Sequence, residues 1–110
     1  MANAFKNKTQ RQIGTSLTAI ESYTVAGSTE TTVIGLTIAN TTAGTIVVDA
    51  TLNDGSNDFY IVKDAPVPSG GSLVAVGGDQ KVVLMPGDSI KVKSDTATSA
   101  DVIMSILEIT

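Results

Sequence analysis

Residues 82–94, VVLMPGDSIKVKS, place Pro86-Gly87 between two apolar runs. The pair fits a type II turn, with Pro second and Gly third, where φ must be positive. Tight hairpins prefer primed turns, which need positive φ at a position the Pro86 ring forbids. A type II turn splays its strands. The sequence therefore predicts a corner that carries the chain from one sheet towards another. Beyond it, Ile90 and Val92 point inward while Lys91 and Lys93 point outward, the period of a half-buried strand.

The rest of the chain follows that period. Residues 31–39 set Ile34, Leu36 and Ile38 against Val33, Gly35 and Thr37. Residues 45–52 set Ile46, Val48, Ala50 and Leu52 inward against Thr45, Val47, Asp49 and Thr51. A short loop joins these two segments and predicts antiparallel neighbours. Residues 15–25 read as a strand with a bulge near Ile20-Glu21, where the alternation slips. Asp54-Gly55 within NDGSN is a hairpin signal, and residues 58–64 form the returning strand. Its two apolar faces suit a central position or a surface covered by another subunit. Pro66 and Pro68 each lack a backbone donor, so residues 65–71 read as an extended crossing segment. Residues 73–76 are a short strand. The last segment, residues 101–109, fits a helix stripe or a strand; its β-branched content favours the strand. As a strand it carries Val102, Met104 and Ile106 on one face and Ile103, Leu107 and Ile109 on the other.

About eight strands at short spacing predict an all-β fold, a single β-sandwich or jelly-roll-like domain with an extended N-terminal arm. The domain organisation expected is an arm over residues 1–12 and a sandwich over residues 13–110. The arm is polar and basic through Lys6, Lys8 and Arg11, and Phe5 is its one aromatic anchor.

Charge and composition exclude several functions. The first twelve residues carry +3, while the remainder has 4 basic and 11 acidic side chains, a net −7. Such a body does not suit nucleic acid, whose affinity comes from basic phosphate contacts. No stretch reaches the ~18 apolar residues of a membrane span, and no leader-like apolar run opens the chain. The expectation is a soluble protein made in a cytoplasm. The chain has no Cys and no His, which removes disulfides, thiolate sites and the commonest general base.

An enzyme needs a constellation of groups, and none assembles here. Asp54 and Asp58 are the best carboxylate pair, but they lack the twelve-residue calcium pattern and its terminal Glu. Serines have no imidazole partner and no Ser-Lys motif. The glycine pairs precede neither a helix nor a Lys-Ser/Thr pair. No catalytic, cofactor or metal residue is assigned. On physical grounds the chain is a small all-β binding or structural module.

The stretches AFKNKTQRQIGTS, VIGLTIAN, FYIVKDAPVPSGGSL and KVVLMPGDSIKVKSDTATSADVIMSILEI together span nearly the whole chain. In them the sequence resembles a group of small virion proteins of tailed bacteriophages. The resemblance implies a compact sandwich with a structural role: head decoration or cement, or a component of the neck or tail. It carries no catalytic residues. The implied location is the virion, and the implied partners are the major capsid protein or other virion proteins. A homo-oligomer, trimer or dimer, is expected as well. The residues assigned to these contacts are Phe5, Lys6, Lys8 and Arg11 on the arm. Phe59, Tyr60, Val62, Ile103, Ile106 and Ile109 are assigned to a subunit interface. A carbohydrate-binding sandwich is the remaining alternative, weakened by the few aromatics.

Overall fold

The computed structural model describes residues 2–110. Nine strands form two antiparallel sheets: β1 (Asn3–Ile13), β2 (Thr18–Ala19), β3 (Glu30–Asn40), β4 (Ile46–Asn53), β5 (Asp58–Val67), β6 (Ser72–Val76), β7 (Val82–Leu84), β8 (Ser89–Ser94) and β9 (Ala100–Ile109). The first sheet runs β1-β9-β3-β6, with β7 also paired to β3; the second runs β2-β8-β4-β5. The fold is the all-β sandwich that the alternation predicts.

The core lies between the sheets. Leu36, Ile38, Val102, Met104 and Ile106 from the first sheet meet Ile46, Val48, Val67, Ile90 and Val92 from the second, all essentially inaccessible to water. Burial of such a set is the main favourable contribution to folding.

The Pro86-Gly87 corner is present. Asp88 N–H donates to the Met85 carbonyl at 2.9 Å, and Gly87 takes φ +91°. The turn leads from β7 in the first sheet to β8 in the second. Val25 clamps it from outside: Gly87 N–H donates to the Val25 carbonyl at 2.9 Å, and Val25 N–H to that of Asp88 at 3.0 Å.

Several details differ from the sequence expectation. First, β3 and β4 are not neighbours; they lie in different sheets, and β3 pairs with β9. The loop between them is held by Asn40, which is buried. Its amide donates to the carbonyls of Gly44 and Val67, and its Oδ1 accepts from the N–H and hydroxyl of Thr42. That geometry turns the chain across the sandwich rather than back along the sheet.

Second, the register of β3 shifts between Val33 and Gly35. Val33 is fully buried and Ile34 only half-buried, so Ile34 does not share the inner face of Leu36 and Ile38. One extra residue in a strand swaps its faces.

Third, the segment at 15–25 is paired only over Thr18–Ala19 and then coils into a short 3-10 turn, Ile20–Ser22, with Glu21 and Ser22 at positive φ. Fourth, residues 3–13 do not project. They form β1 at the edge of the first sheet, paired with β9 from Asn3↔Ile109 to Gln10↔Val102. The backbone groups of an extended, polar segment are satisfied there by a partner strand.

The closing segment is the strand β9, placed between β1 and β3. Residues 58–64 belong to β5, an edge rather than a central strand, and Pro66 sits on that edge as its missing donor requires.

Candidate interaction surfaces

The central strand β9 sets what the first sheet shows to solvent. On β9, Val102, Met104 and Ile106 face the core, so Ile103, Leu107 and Ile109 face outward. Directly opposite residues share a face, which lays out the outer surface row by row. Phe5, Leu107, Thr32 and Val83 form one row; Thr9, Ile103, Thr37 and Val74 form another. Phe5 is 78% exposed, Val74 63%, Val83 57% and Ile103 55%. Ser105 and Asn7 lie between these rows. No charged side chain interrupts either row.

The outer surface of the second sheet has the opposite character. Lys91, Lys93, Asp49 and Tyr60 sit in its rows. A groove of about 310 Å³ there is lined by Asp49, Asp64, Asp95, Lys63, Lys93 and Tyr60 among others. Its carboxylates are occupied. Asp49 is buried, accepts from the Asp64 N–H at 2.7 Å and faces Lys93 Nζ at 3.9 Å. It caps a bulge, because Asp64 lies between residues of β5 paired to Val48 and Ala50. Asp95 accepts from the Val47 N–H and the Thr96 hydroxyl, which together hold its carboxyl below the usual range. Spacing does not single out Asp49; its signal in the sequence is an acid at an outward position of a largely apolar strand.

The Asp54-Asp58 pair closes the β4–β5 hairpin. Asp54 Oδ1 accepts from the N–H groups of Ser56 and Asn57, and these bonds, that of Asn57 foremost, lower its pKa. Asp58 Oδ1 accepts from Thr51 and Asn53 side chains. Among the described residues no group of three potential acidic ligands converges on a metal position.

Two of the three basic residues at the start of the chain, Lys6 and Lys8, are held in ion pairs. Lys6 Nζ lies 2.7 Å from Glu108 Oε1. Lys8 Nζ lies 3.6 Å from Glu21 Oε2 and 5.1 Å from the centre of the Tyr23 ring. Tyr23 donates to Glu108 Oε2 at 2.6 Å and also bonds the Thr31 hydroxyl at 2.8 Å. Burial and the neighbouring Glu108 push the Tyr23 phenol up to about 12. Lys6 and the Tyr23 hydroxyl hold the Glu108 carboxyl below its ordinary value. Phe5 and Arg11 remain exposed.

The residues expected at a subunit interface do not form one surface. Phe59 and Tyr60 are about half exposed on β5, and Val62 packs partly against the core from the same strand. Ile103 and Ile109 belong to the outer face of the first sheet. Ile106 is 0% exposed inside the core, so it offers no contact to a partner. It alternates with Ile103 and Leu107 on a strand that is apolar on both sides, where sequence does not say which side is inner.

No protein-family profile and no curated protein matches the chain. The fold does have a likeness among solved structures. A chain of the acidic stable capsid structure of Helicobacter pylori bacteriophage KHP30 matches 100% of this chain and 94% of its own length, with a TM-score of 0.59 at 7% identity. At that identity the likeness is one of fold.

Proposed function

We propose that this protein is a non-enzymatic structural component of a bacteriophage particle, and specifically a decoration or cement protein of the head shell. The observation that carries the proposal is the likeness to a chain of a phage capsid structure over the whole length. The outer face of the first sheet supports it: its middle rows, through Phe5 and Ile103, are uncharged, with the acids Glu30 and Asp101 only at its two ends. A protein that seals joints between shell subunits needs one such face, and many copies on a lattice convert a weak single contact into firm attachment. In this reading Phe5, Ile103 and Ile109 contact the shell, and the charged second sheet faces solvent.

A neck, tail or fibre-attachment subunit is the second reading, because the same face would serve at those joints. Copy number separates them. Quantitative mass spectrometry of purified virions should find copies in proportion to the shell subunits. Copies matching only the symmetry of the neck or tail would move the assignment there, and absence from the particle would end both readings. A carbohydrate-binding role has less support: the exposed aromatics Phe5, Phe59 and Tyr60 are divided between two sheets.

A further inference from the structure

The geometry points to β1 as a dimerisation strand: its free edge pairs antiparallel with β1 of a second copy, about a twofold axis at Phe5. Sheet edges are normally blunted against such pairing, and three of the four edges here are. β2 has two residues. β6 and β7 are short and separated by the Gly77-Gly78 turn. β5 carries Pro66, two register breaks and a positive φ at Asp64. β1 is 11 residues long, and its register with β9 runs unbroken from Asn3 to Gln10.

The hydrogen-bond phase shows which backbone groups are free. Ala2 and Thr110 exchange both of their bonds, at 3.1 and 2.9 Å. Antiparallel pairs alternate, so Ala4, Lys6, Lys8 and Gln10 bond to β9. Asn3, Phe5, Asn7 and Thr9 direct their N–H and C=O groups away from it. Thr9 N–H is taken by Glu21 Oε1 at 3.1 Å. The open edge is therefore Asn3, Phe5 and Asn7.

Those three residues select both the occupant and the register. With the twofold at Phe5, the pairs are Phe5 with Phe5 of the partner subunit, and Asn3 with Asn7 in both directions. All are pairs with outward backbone groups, exchanging about six hydrogen bonds. Lys6 falls opposite Ala4 and Lys8 opposite Ala2, so no like charges meet directly. The amines of Lys6 and Lys8 are already engaged by Glu108 and Glu21. The Leu107–Phe5 row continues across the joint into its symmetry mate. A twofold at Asn7 instead would set Lys6 against Lys8, a repulsive pair, and would need the Thr9 N–H that Glu21 holds. The product is one continuous sheet made of two five-stranded ones. The pairing stands independently of any place in a virion.

The test uses the full chain in analytical ultracentrifugation. Wild type should sediment as a dimer. Phe5→Pro removes an N–H that faces away from β9, and Phe5→Lys sets two lysines opposite one another. Either variant should sediment as a monomer, with the far-ultraviolet spectrum and melting temperature of the parent checked alongside; if the proline variant does not fold, the lysine variant decides. The chain has no cysteine, so Phe5→Cys should oxidise to a disulfide-linked dimer more readily than Asn7→Cys. A wild-type monomer at every accessible concentration overturns the proposal. A dimer that survives in a folded Phe5→Lys variant, or Asn7→Cys linking as fast as Phe5→Cys, does so too. So does a chain that stays monomeric alone and uses this edge only for a shell protein.

Discussion

Tyr23 donates a 2.6 Å hydrogen bond to Glu108, a residue 85 positions away. The same carboxylate holds Lys6 of β1. One acid thus ties together the connector after the 3-10 turn, the edge strand and the central strand β9. Tyr23→Phe keeps the ring under Lys8 and removes the hydroxyl alone. It should lower stability by about 1.5–3 kcal/mol, the usual cost of losing a hydrogen bond to a charged group, as measured by urea denaturation.

The same pair makes stability depend on pH at both ends. The Tyr23 value is raised on folding, so the unfolded chain loses its proton first. Its contribution is complete below the ordinary phenol value of 10.0 and is lost as pH climbs towards about 12. Glu108 is shifted the other way, by Lys6 first and Tyr23 second. Its contribution is present at neutral pH and disappears as pH falls through its folded value. Tyr23→Phe should flatten the alkaline arm of a melting-temperature profile, and Glu108→Gln should flatten the acidic arm. Unchanged slopes would refute the assignment.

Gly87 gives a test of the corner. An added Cβ there meets nothing within 4 Å, so a substitution costs backbone strain rather than a clash. At φ +91°, Gly87→Ala should cost about 1–2 kcal/mol. Gly44 also has open space around it, without the positive φ. Gly44→Ala should leave the melting temperature unchanged or slightly raised.

β9 allows core and surface to be separated on one strand. Ile106→Ala should cost about 2–5 kcal/mol, because it opens a cavity in a sealed core. Ile103→Ser, on the exposed face, should change stability by no more than about 0.5 kcal/mol. It should instead weaken attachment to virions depleted of this protein, measured by co-sedimentation.

Deleting residues 1–12 is a stability test rather than a clean test of attachment. It strips β1 from β9 and exposes the backbone of a central strand at a new edge, next to buried Ile13. The truncated chain should melt well below the parent and aggregate, as an uncovered, flat, apolar strand does. A truncated chain as stable as the parent would mean that β1 contributes little to the fold.

Some of this was local and legible. Two-residue alternation marks β3, β4, β8 and β9 as strands because successive side chains must point to opposite sides. Pro86-Gly87 declares the passage between sheets because the ring and the glycine dictate backbone angles without outside help. Asp54-Gly55 does the same for its hairpin. Other features wait for the fold. Alternation divides Ile103 from Ile106 but cannot say which is inside; that depends on a second sheet assembled from distant residues. Nothing near Asn3–Ile13 says strand, because its partner β9 closes the other end of the chain. The pairing of β3 with β9 in place of β4, the bulge at Ile34 and the buried Asp49 under its own bulge arise the same way. Local sequence determines backbone angles and the two faces of each strand, through sterics. Tertiary structure decides partners, edges and which face meets water, because these depend on contacts between segments far apart in the chain.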